Sequence, residues 1–325
     1  MPKKIIINNT GGTEVLQFVD FDLPKNIDDG CVRLKNLSIG VNYIDTYHRS
    51  GVYPLDLPSG LGLEGVAEVI DLGPNVLGFS VGERVGYAFT PLGAYSDFRD
   101  FPAKRLFKIP EFISNNDAAS VLLKGATVEY LFNRTYKIKK DDVVLFHAAA
   151  GGVGLLACQW ARSIGCKIIG TVGSDKKAEI ALKNGCSHVI NYKNQNVVKE
   201  IMEITEDRGV SVVYDGVGRD TFEDSLSCLS RRGLFVSFGQ SSGMIDSVNL
   251  HKSFNPKSLF FTRPTLLHYT DNKVEMDNSY NLLFNKIKKK EIKINLDGVY
   301  HLGDVSDVHK KLESRKTSGS IVLVP

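Results

Sequence analysis

Short apolar runs alternate with mixed segments through the middle of the chain. Val143-Val144-Leu145-Phe146 is followed by His147 and by the small residues Ala148-Ala149-Ala150-Gly151-Gly152-Val153-Gly154. Apolar character then resumes over Leu155-Leu156-Ala157-Cys158-Gln159-Trp160-Ala161-Arg162. This pattern predicts a buried strand, a tight turn and an apolar helix. Lys167-Ile168-Ile169-Gly170-Thr171-Val172 predicts a second strand. His188–Asn191, Val210–Tyr214 and Leu234–Phe238 predict three more, and Ser258-Leu259-Phe260-Phe261-Thr262 a last one. Between them, 177–183 (closed by Asn184-Gly185), 197–205 and 221–229 read as helices. Strands alternating with helices of about ten residues predict βαβ units on a parallel sheet, an α/β domain.

Residues 1 to about 123 are patterned differently. Turn pairs recur at Gly11-Gly12, Asp29-Gly30, Gly73-Pro74-Asn75 and Val81-Gly82-Glu83. Between them lie short runs such as Val32-Arg33-Leu34-Lys35, Gly65–Ile70 and Arg84-Val85-Gly86-Tyr87. That spacing predicts a mostly antiparallel β domain. The closing run 319–324 is one more strand, able to return to that domain.

The first strand–turn–helix carries the most chemistry. On a G-x-G-x-x-G template the small positions are Ala149, Gly151 and Gly154. The middle one lets backbone approach a pyrophosphate, and the last lets helix and strand pack closely. The helix start then offers unpaired N–H groups and a positive dipole end. About 20 residues on, an NAD-preferring domain places an acid on the ribose 2′-hydroxyl. Here the second strand ends at Thr171-Val172-Gly173-Ser174 with no acid at its tip, followed by Asp175, Lys176 and Lys177. A lysine and a hydroxyl suit a 2′-phosphate, and cations in a helix's first turn are otherwise unfavourable. Asp175 is expected to point away and cap the helix.

Composition narrows the class. The 325 residues suffice for about two domains. A hydrophobic content of 42% and a charged content of 24% are ordinary for a soluble globular protein, and the net charge is only +3. That small charge does not point to nucleic acid or membrane. The basic stretch Lys286–Lys293 reads as a solvated helix end, with RNA binding as the minor alternative. No apolar run approaches the roughly 18 residues of a membrane span, and no signal peptide is expected. Five scattered cysteines without a C-x-x-C fit buried thiols in a reducing cytoplasm.

The chain resembles the NADPH:quinone oxidoreductases (zeta-crystallin-like), the zinc-free branch of the medium-chain dehydrogenases/reductases. The resemblance is carried by Gly11-Gly12-Thr13-Glu14-Val15-Leu16, Gly40-Val41-Asn42-Tyr43-Ile44-Asp45-Thr46-Tyr47 and Arg49-Ser50-Gly51. Leu122-Leu123-Lys124-Gly125-Ala126-Thr127, Gly151-Gly152-Val153-Gly154, Val217-Gly218-Arg219-Asp220 and Leu312-Glu313-Ser314-Arg315 continue it nearly end to end. It implies a GroES-like catalytic domain from 1–123 and 265–325, and a Rossmann NADPH-binding domain over 124–264. It implies NADPH-dependent reduction of a quinone by hydride or electron transfer in a cytoplasmic enzyme. A homodimer is implied too, paired through the edge strand near Leu259–Thr262. An enone or alkenal double-bond reductase is the nearest alternative, and a non-catalytic NADPH- or RNA-binding protein a further one.

The resemblance also assigns residues. Cofactor contacts fall to Asn42, Tyr47, Lys124, Thr127, Tyr130, Gly151, Gly152, Val153, Gly173, Ser174, Lys177, Tyr192, Phe238, Gly239, Ser241, Arg263 and Arg315. Lys177 is the 2′-phosphate lysine, aided by Ser174, Tyr192 and Arg315. Tyr47 and Tyr53 are the candidate catalytic residues; hydrogen-bonding an acceptor oxygen and simple aromatic packing both stay open. Zinc relatives place a ligand cysteine where Asn42-Tyr43-Ile44-Asp45 stands, and a ligand histidine where Leu63 stands in Gly62-Leu63-Glu64. Neither residue suits a catalytic zinc, and no metal is expected. Gly239-Gln240-Ser241-Ser242-Gly243 matches the G-x-S-x-G of hydrolases. The 244–249 segment is a poor helix start, so a loop approaching a cofactor is the simpler reading.

Overall fold

The apolar run at residue 143 is the centre of a six-stranded parallel sheet. In the computed structural model, which describes residues 1–325, its strands in chain order are β1 (Val143–Phe146), β2 (Lys167–Val172), β3 (His188–Asn191), β4 (Val210–Asp215), β5 (Leu229–Ser237) and β6 (Phe260–Thr262). Their order across the sheet is β3-β2-β1-β4-β5-β6, all parallel. This is the dinucleotide-binding order, with its switch point beside β1. Helices α1 (Gly152–Ile164), α2 (Asp175–Lys183), α3 (Val197–Ile204) and α4 (Phe222–Cys228) make the first crossovers. Leu145, Ile169, Ile201, Val213, Leu226 and Phe235 form one buried cluster between sheet and helices.

Two strands differ from their sequence reading. β5 begins at Leu229 rather than near Leu234, and its pairing with β4 slips between Val210 and Val212. The polar residues Ser230, Arg231 and Arg232 sit in that irregularity, with Arg232 at φ +61, and they hide the strand's first half from periodicity. β6 is shorter than Ser258–Thr262, because Ser258 adopts φ +53 and cannot continue an extended ladder.

The remaining sheets are mostly antiparallel. One runs in the order Leu296–His301, Ser320–Val324, Cys31–Val41, Glu64–Leu72, Arg84–Ala88, Phe107–Lys108, and Phe98–Pro102 also pairs with Cys31–Val41. The closing strand does return here, with Ile321 opposite Val41 and Leu323 opposite Ile39. A second sheet joins Gln17–Asp20, Lys3–Ile7 and Ser59–Gly60. Ile5, Val32, Leu34, Ile39, Val85, Tyr87 and Leu323 form the buried core of this unit.

Two compact units result. The first holds Met1–Ala126, Asn272–Phe284 and Ile294–Pro325; the second holds Thr127–Asp271 and Asn285–Lys293. These boundaries shift from the expected 1–123/265–325 and 124–264. Within the second unit, Tyr269 stacks on Tyr130 at 4.4 Å, and Gln159 bonds Lys293 through both its amide groups. Within the first, Lys124 bonds the Val41 carbonyl, and Gly125 packs against Leu283 too closely for a Cβ. No helix is long and apolar enough to cross a membrane.

Candidate active site

The turn after β1 is shaped by backbone. Ala148 lies at φ +56, a costly conformation for alanine, and its carbonyl accepts the Gly151 N–H at 2.9 Å. Gly151 then caps α1 without any side-chain hydrogen bond to the first turn. The donors of Gly152 and Val153 at this helix start are thus met by no capping side chain, the donor set that a phosphate satisfies. Gly154 is required by packing: a Cβ there would lie 2.5 Å from the Ala148 carbonyl oxygen and 2.6 Å from Ala149 backbone. The residues present therefore fit a dinucleotide pyrophosphate.

The loop after β2 carries the next group. Ser174 caps α2, its hydroxyl accepting the Lys177 N–H at 3.4 Å. Asp175 does not cap, contrary to expectation. It occupies the first helical position, and its carboxylate accepts from the Asn191 amide at 2.7 Å. That amide holds the only acid near the tip, while Ser174 satisfies the helix start. Gly173 lies beneath Tyr192, whose hydroxyl would be 2.5 Å from an added Cβ. Gly173, Ser174, Lys177 and Tyr192 are thus neighbours.

Two further loops are knit together by Asp215, the last residue of β4 and fully buried. One carboxylate oxygen accepts the N–H groups of Val217 (2.6 Å) and Gly218 (2.9 Å). The other accepts the hydroxyls of Thr221 (2.6 Å) and Ser225 (3.1 Å). Its carbonyl accepts Phe238 N–H and Gly239 N–H from the loop after β5. Ser241 N–H donates to the Gly216 carbonyl, and Arg263 donates to the Ser237 carbonyl and the Gln240 side chain. Phe238, Gly239, Ser241 and Arg263 are therefore one assembly. No helix follows Ser241 until Leu250–Ser253, so the G-x-S-x-G run is not a nucleophile elbow. Thr127 and Tyr130 are buried, Tyr130 in its stack with Tyr269.

In the first unit the candidates surround the helix Tyr43–Ser50, whose N-cap is Asn42. The Asp45 carboxylate reaches back to accept the Asn42 backbone N–H (2.8 Å) and also accepts the Tyr95 hydroxyl (2.7 Å). Burial pushes Asp45 up to about 7, against the pull of these donors. The Asn42 amide donates to Glu64 at 2.7 Å; Glu64 also accepts the Leu123 N–H and lies 3.5 Å from the Lys124 ammonium. Tyr47 and Tyr53 pack edge to face at 5.3 Å, flanked by Tyr43 and by His48. Burial holds His48 neutral, its pKa lowered to about 4. Arg315, also of this unit, is exposed at φ +57 just past the helix Val305–Glu313.

Leu63, at the position of a zinc ligand in metal-bearing relatives, is fully buried, and the Asn42 amide is committed to Glu64. No three His, Cys, Asp or Glu side chains cluster as metal ligands. Sequence reasoning missed Asp45, Glu64 and Asp215 as organisers. The capping spacing of Asn42 and Asp45 was the one legible signal; a lone acid closing an apolar strand, as in Asp215, gives none.

Known proteins match the chain over most of its length. Residues 28–111 match the alcohol dehydrogenase GroES-like domain family, and residues 152–283 match the family described as zinc-binding dehydrogenase. The chain is 47% identical to quinone oxidoreductase 1 of Escherichia coli (strain K12) over 328 residues, covering 100% of both. It is 44% identical to a 2-haloacrylate reductase of a Burkholderia species over 303 residues, 91% of each chain. The crystal structure of Escherichia coli quinone oxidoreductase complexed with NADPH superposes with a TM-score of 0.97 at 47% identity, covering 99% of this chain and 100% of that one.

Proposed function

The chain belongs to the quinone oxidoreductase family of the medium-chain dehydrogenases/reductases, and from that premise we propose that it is an enzyme reducing quinones with NADPH. The observation that carries this reading is the uncapped, glycine-lined start of α1 on a sheet of order β3-β2-β1-β4-β5-β6, with Ser174 and Lys177 past the tip of β2.

NADPH supplies, when bound, a hydride from C4 of its nicotinamide. The chain's residues bind and orient. Gly151, Gly152 and Val153 offer backbone to the pyrophosphate. Gly173, Ser174, Lys177 and Tyr192 receive the 2′-phosphate, and Phe238, Gly239, Ser241 and Arg263 form a rigid wall stitched by Asp215. Within the second unit Thr127 and Tyr130 are also assigned to the cofactor; within the first unit, Asn42, Tyr47, Lys124 and Arg315 are. Tyr47 or Tyr53 orients the acceptor oxygen, and quinone oxygens take their protons from solvent. Positioning supplies most of the rate. The reaction is assigned no zinc, because leucine offers no lone pair and the Asn42 amide serves Glu64.

The protein is further assigned as a cytoplasmic homodimer. Its five cysteines are free and four are buried, and the edge strand β6 presents Phe260 (60% exposed) and Phe261 (48%). Light scattering should give twice 35.9 kDa. A second reading, reduction of an electron-poor carbon–carbon double bond, is favoured by the likeness to the 2-haloacrylate reductase. NADPH oxidation measured side by side with 1,4-benzoquinone, 9,10-phenanthrenequinone and a 2-alkenal decides. Turnover of the alkenal alone replaces the first reading by the second.

A further inference from the structure

Beneath the proposed cofactor loops, a line of side chains crosses the C-terminal ends of β2, β1 and β4. Donor counting fixes its direction. Ser225 has one hydroxyl proton, and Asp215 Oδ2, a carboxylate oxygen 3.1 Å away, can only accept it. Ser225 Oγ must then accept at its 3.0 Å contact with His147 Nε2, so His147 carries its proton there. Burial lowers the His147 pKa and keeps the ring neutral, which leaves only a lone pair at Nδ1. Thr171 Oγ1, 2.9 Å from Nδ1, is therefore the donor. The chain runs Thr171 to His147 to Ser225 to Asp215, all four at most 2% exposed.

Each end of this chain anchors a different loop. Asp215 holds the loops after β4 and β5. Thr171 stands two residues before Gly173 and three before the Ser174 cap of α2, and its carbonyl accepts the Ala149 N–H of the glycine turn at 3.0 Å. A fully satisfied buried polar chain is rigid, and a broken one leaves a desolvated group unpaired.

We propose that His147 is a positioning residue for cofactor choice: it fixes Thr171, and through it the Gly173–Lys177 loop, in register with the loops held by Asp215. This rests on the assignment of Ser174 and Lys177 to the 2′-phosphate. The chain has no role in the chemical step; it sets where the phosphate partners stand.

The test is fluorescence titration of NADPH and NADH against purified His147→Gln, Thr171→Val, Asp215→Asn and Lys177→Ala variants. The glutamine of the first variant would keep a donor toward Ser225 but offer Thr171 no acceptor in place. Thr171→Val is nearly isosteric and carries the test if the histidine variant does not fold. Both should lower the NADPH-to-NADH affinity ratio about tenfold, the scale of one lost hydrogen bond to a buried group. Asp215→Asn should weaken both cofactors together, with the ratio kept within about twofold. If Lys177→Ala collapses the ratio while His147→Gln and Thr171→Val leave it intact, or weaken both cofactors equally, the inference is wrong and the phosphate assignment stands. A ratio unmoved by Lys177→Ala removes that assignment and the inference with it.

Discussion

The second unit presents its candidate cofactor turn through backbone: small residues, an alanine at φ +56, and a helix start that no side chain caps. The first unit arranges Asn42 and Lys124 through side chains instead, with Asp45, Glu64 and Tyr95 all fully buried around them. A backbone site tolerates change in its side chains but not added volume. A buried side-chain site tolerates volume better than loss of a charge. The units should therefore fail differently, and the largest failure belongs to the first. Removing the ammonium by Lys124→Met leaves the Glu64 carboxylate, 3.5 Å away and 0% exposed, without its cation. Urea denaturation should show a loss of about 3–5 kcal/mol, and the double variant with Glu64→Gln should recover most of it. A single variant as stable as wild type would mean that the pair is not a structural unit.

Charge in the first unit should also respond to pH. Asp45 titrates at 3.8 when exposed and near 7 in the fold, so the folded state holds its proton more tightly. Its contribution is present below pH 3.8 and is lost as pH rises to about 7, where the carboxylate must be buried charged. The shift corresponds to about 4 kcal/mol. His48 and His309 act oppositely. Burial lowers them to about 4 and about 3, so their contribution is full above pH 6.5 and lost as pH falls through those values. In wild type the two trends offset between about pH 4 and 6.5. In Asp45→Asn only the histidine trend remains. Wild-type minus variant stability should thus decline steadily from about pH 4 to 7. A flat difference would mean that Asp45 stays charged in the fold.

The second unit should break on volume. A methyl group at Gly154 meets carbonyl oxygen and backbone carbon that cannot retreat without moving the turn. Gly154→Ala should cost about 3 kcal/mol by urea denaturation and weaken NADPH and NADH together. At Gly151 the nearest atom to an added Cβ is 3.2 Å away, so the same substitution there should cost distinctly less. Equal costs at both positions would deny Gly154 its packing role.

This difference also decides what could be read from sequence. The backbone site was legible, because small residues set between an apolar strand and an apolar helix mark a tight backbone turn and little else. The strands β1 to β4 and the returning C-terminal strand were legible because apolar, mostly β-branched residues dominate each of them. The first half of β5 was not, because Ser230-Arg231-Arg232 interrupts its apolar pattern with a bulge. The side-chain network was not legible either. Tyr95 meets Asp45 across 50 residues of sequence, and Asn42 meets Glu64 across 22. Polar residues that pair at such separations look like surface residues until the chain is folded. Asp175 shows the converse error. Its position suggested a helix cap, yet Ser174 already caps, and a residue 16 positions away decides where the acid is held.

The smallest predicted effect falls where backbone and side chain share the work, at the loop past β2. Ser174 uses its hydroxyl for the α2 cap, so Lys177 is left as the main cation for a 2′-phosphate. Replacing Lys177 by alanine should weaken NADPH by about 1.5–3 kcal/mol, the scale of a hydrogen bond to a charged group, and NADH far less. Asp175 supplies the control. Its carboxylate is held by Asn191, and its charge beside the loop opposes a phosphate at long range only. Asp175→Ala should therefore strengthen NADPH slightly, within about 0.5–1 kcal/mol, and become indistinguishable from wild type at high salt, because the charge is exposed and screened. Isothermal titration at two ionic strengths measures both. A lysine variant that loses both cofactors equally would return Lys177 to a solvated helix face. An aspartate variant that gains NADH binding instead would make Asp175 an obstacle to the ribose rather than a distant charge.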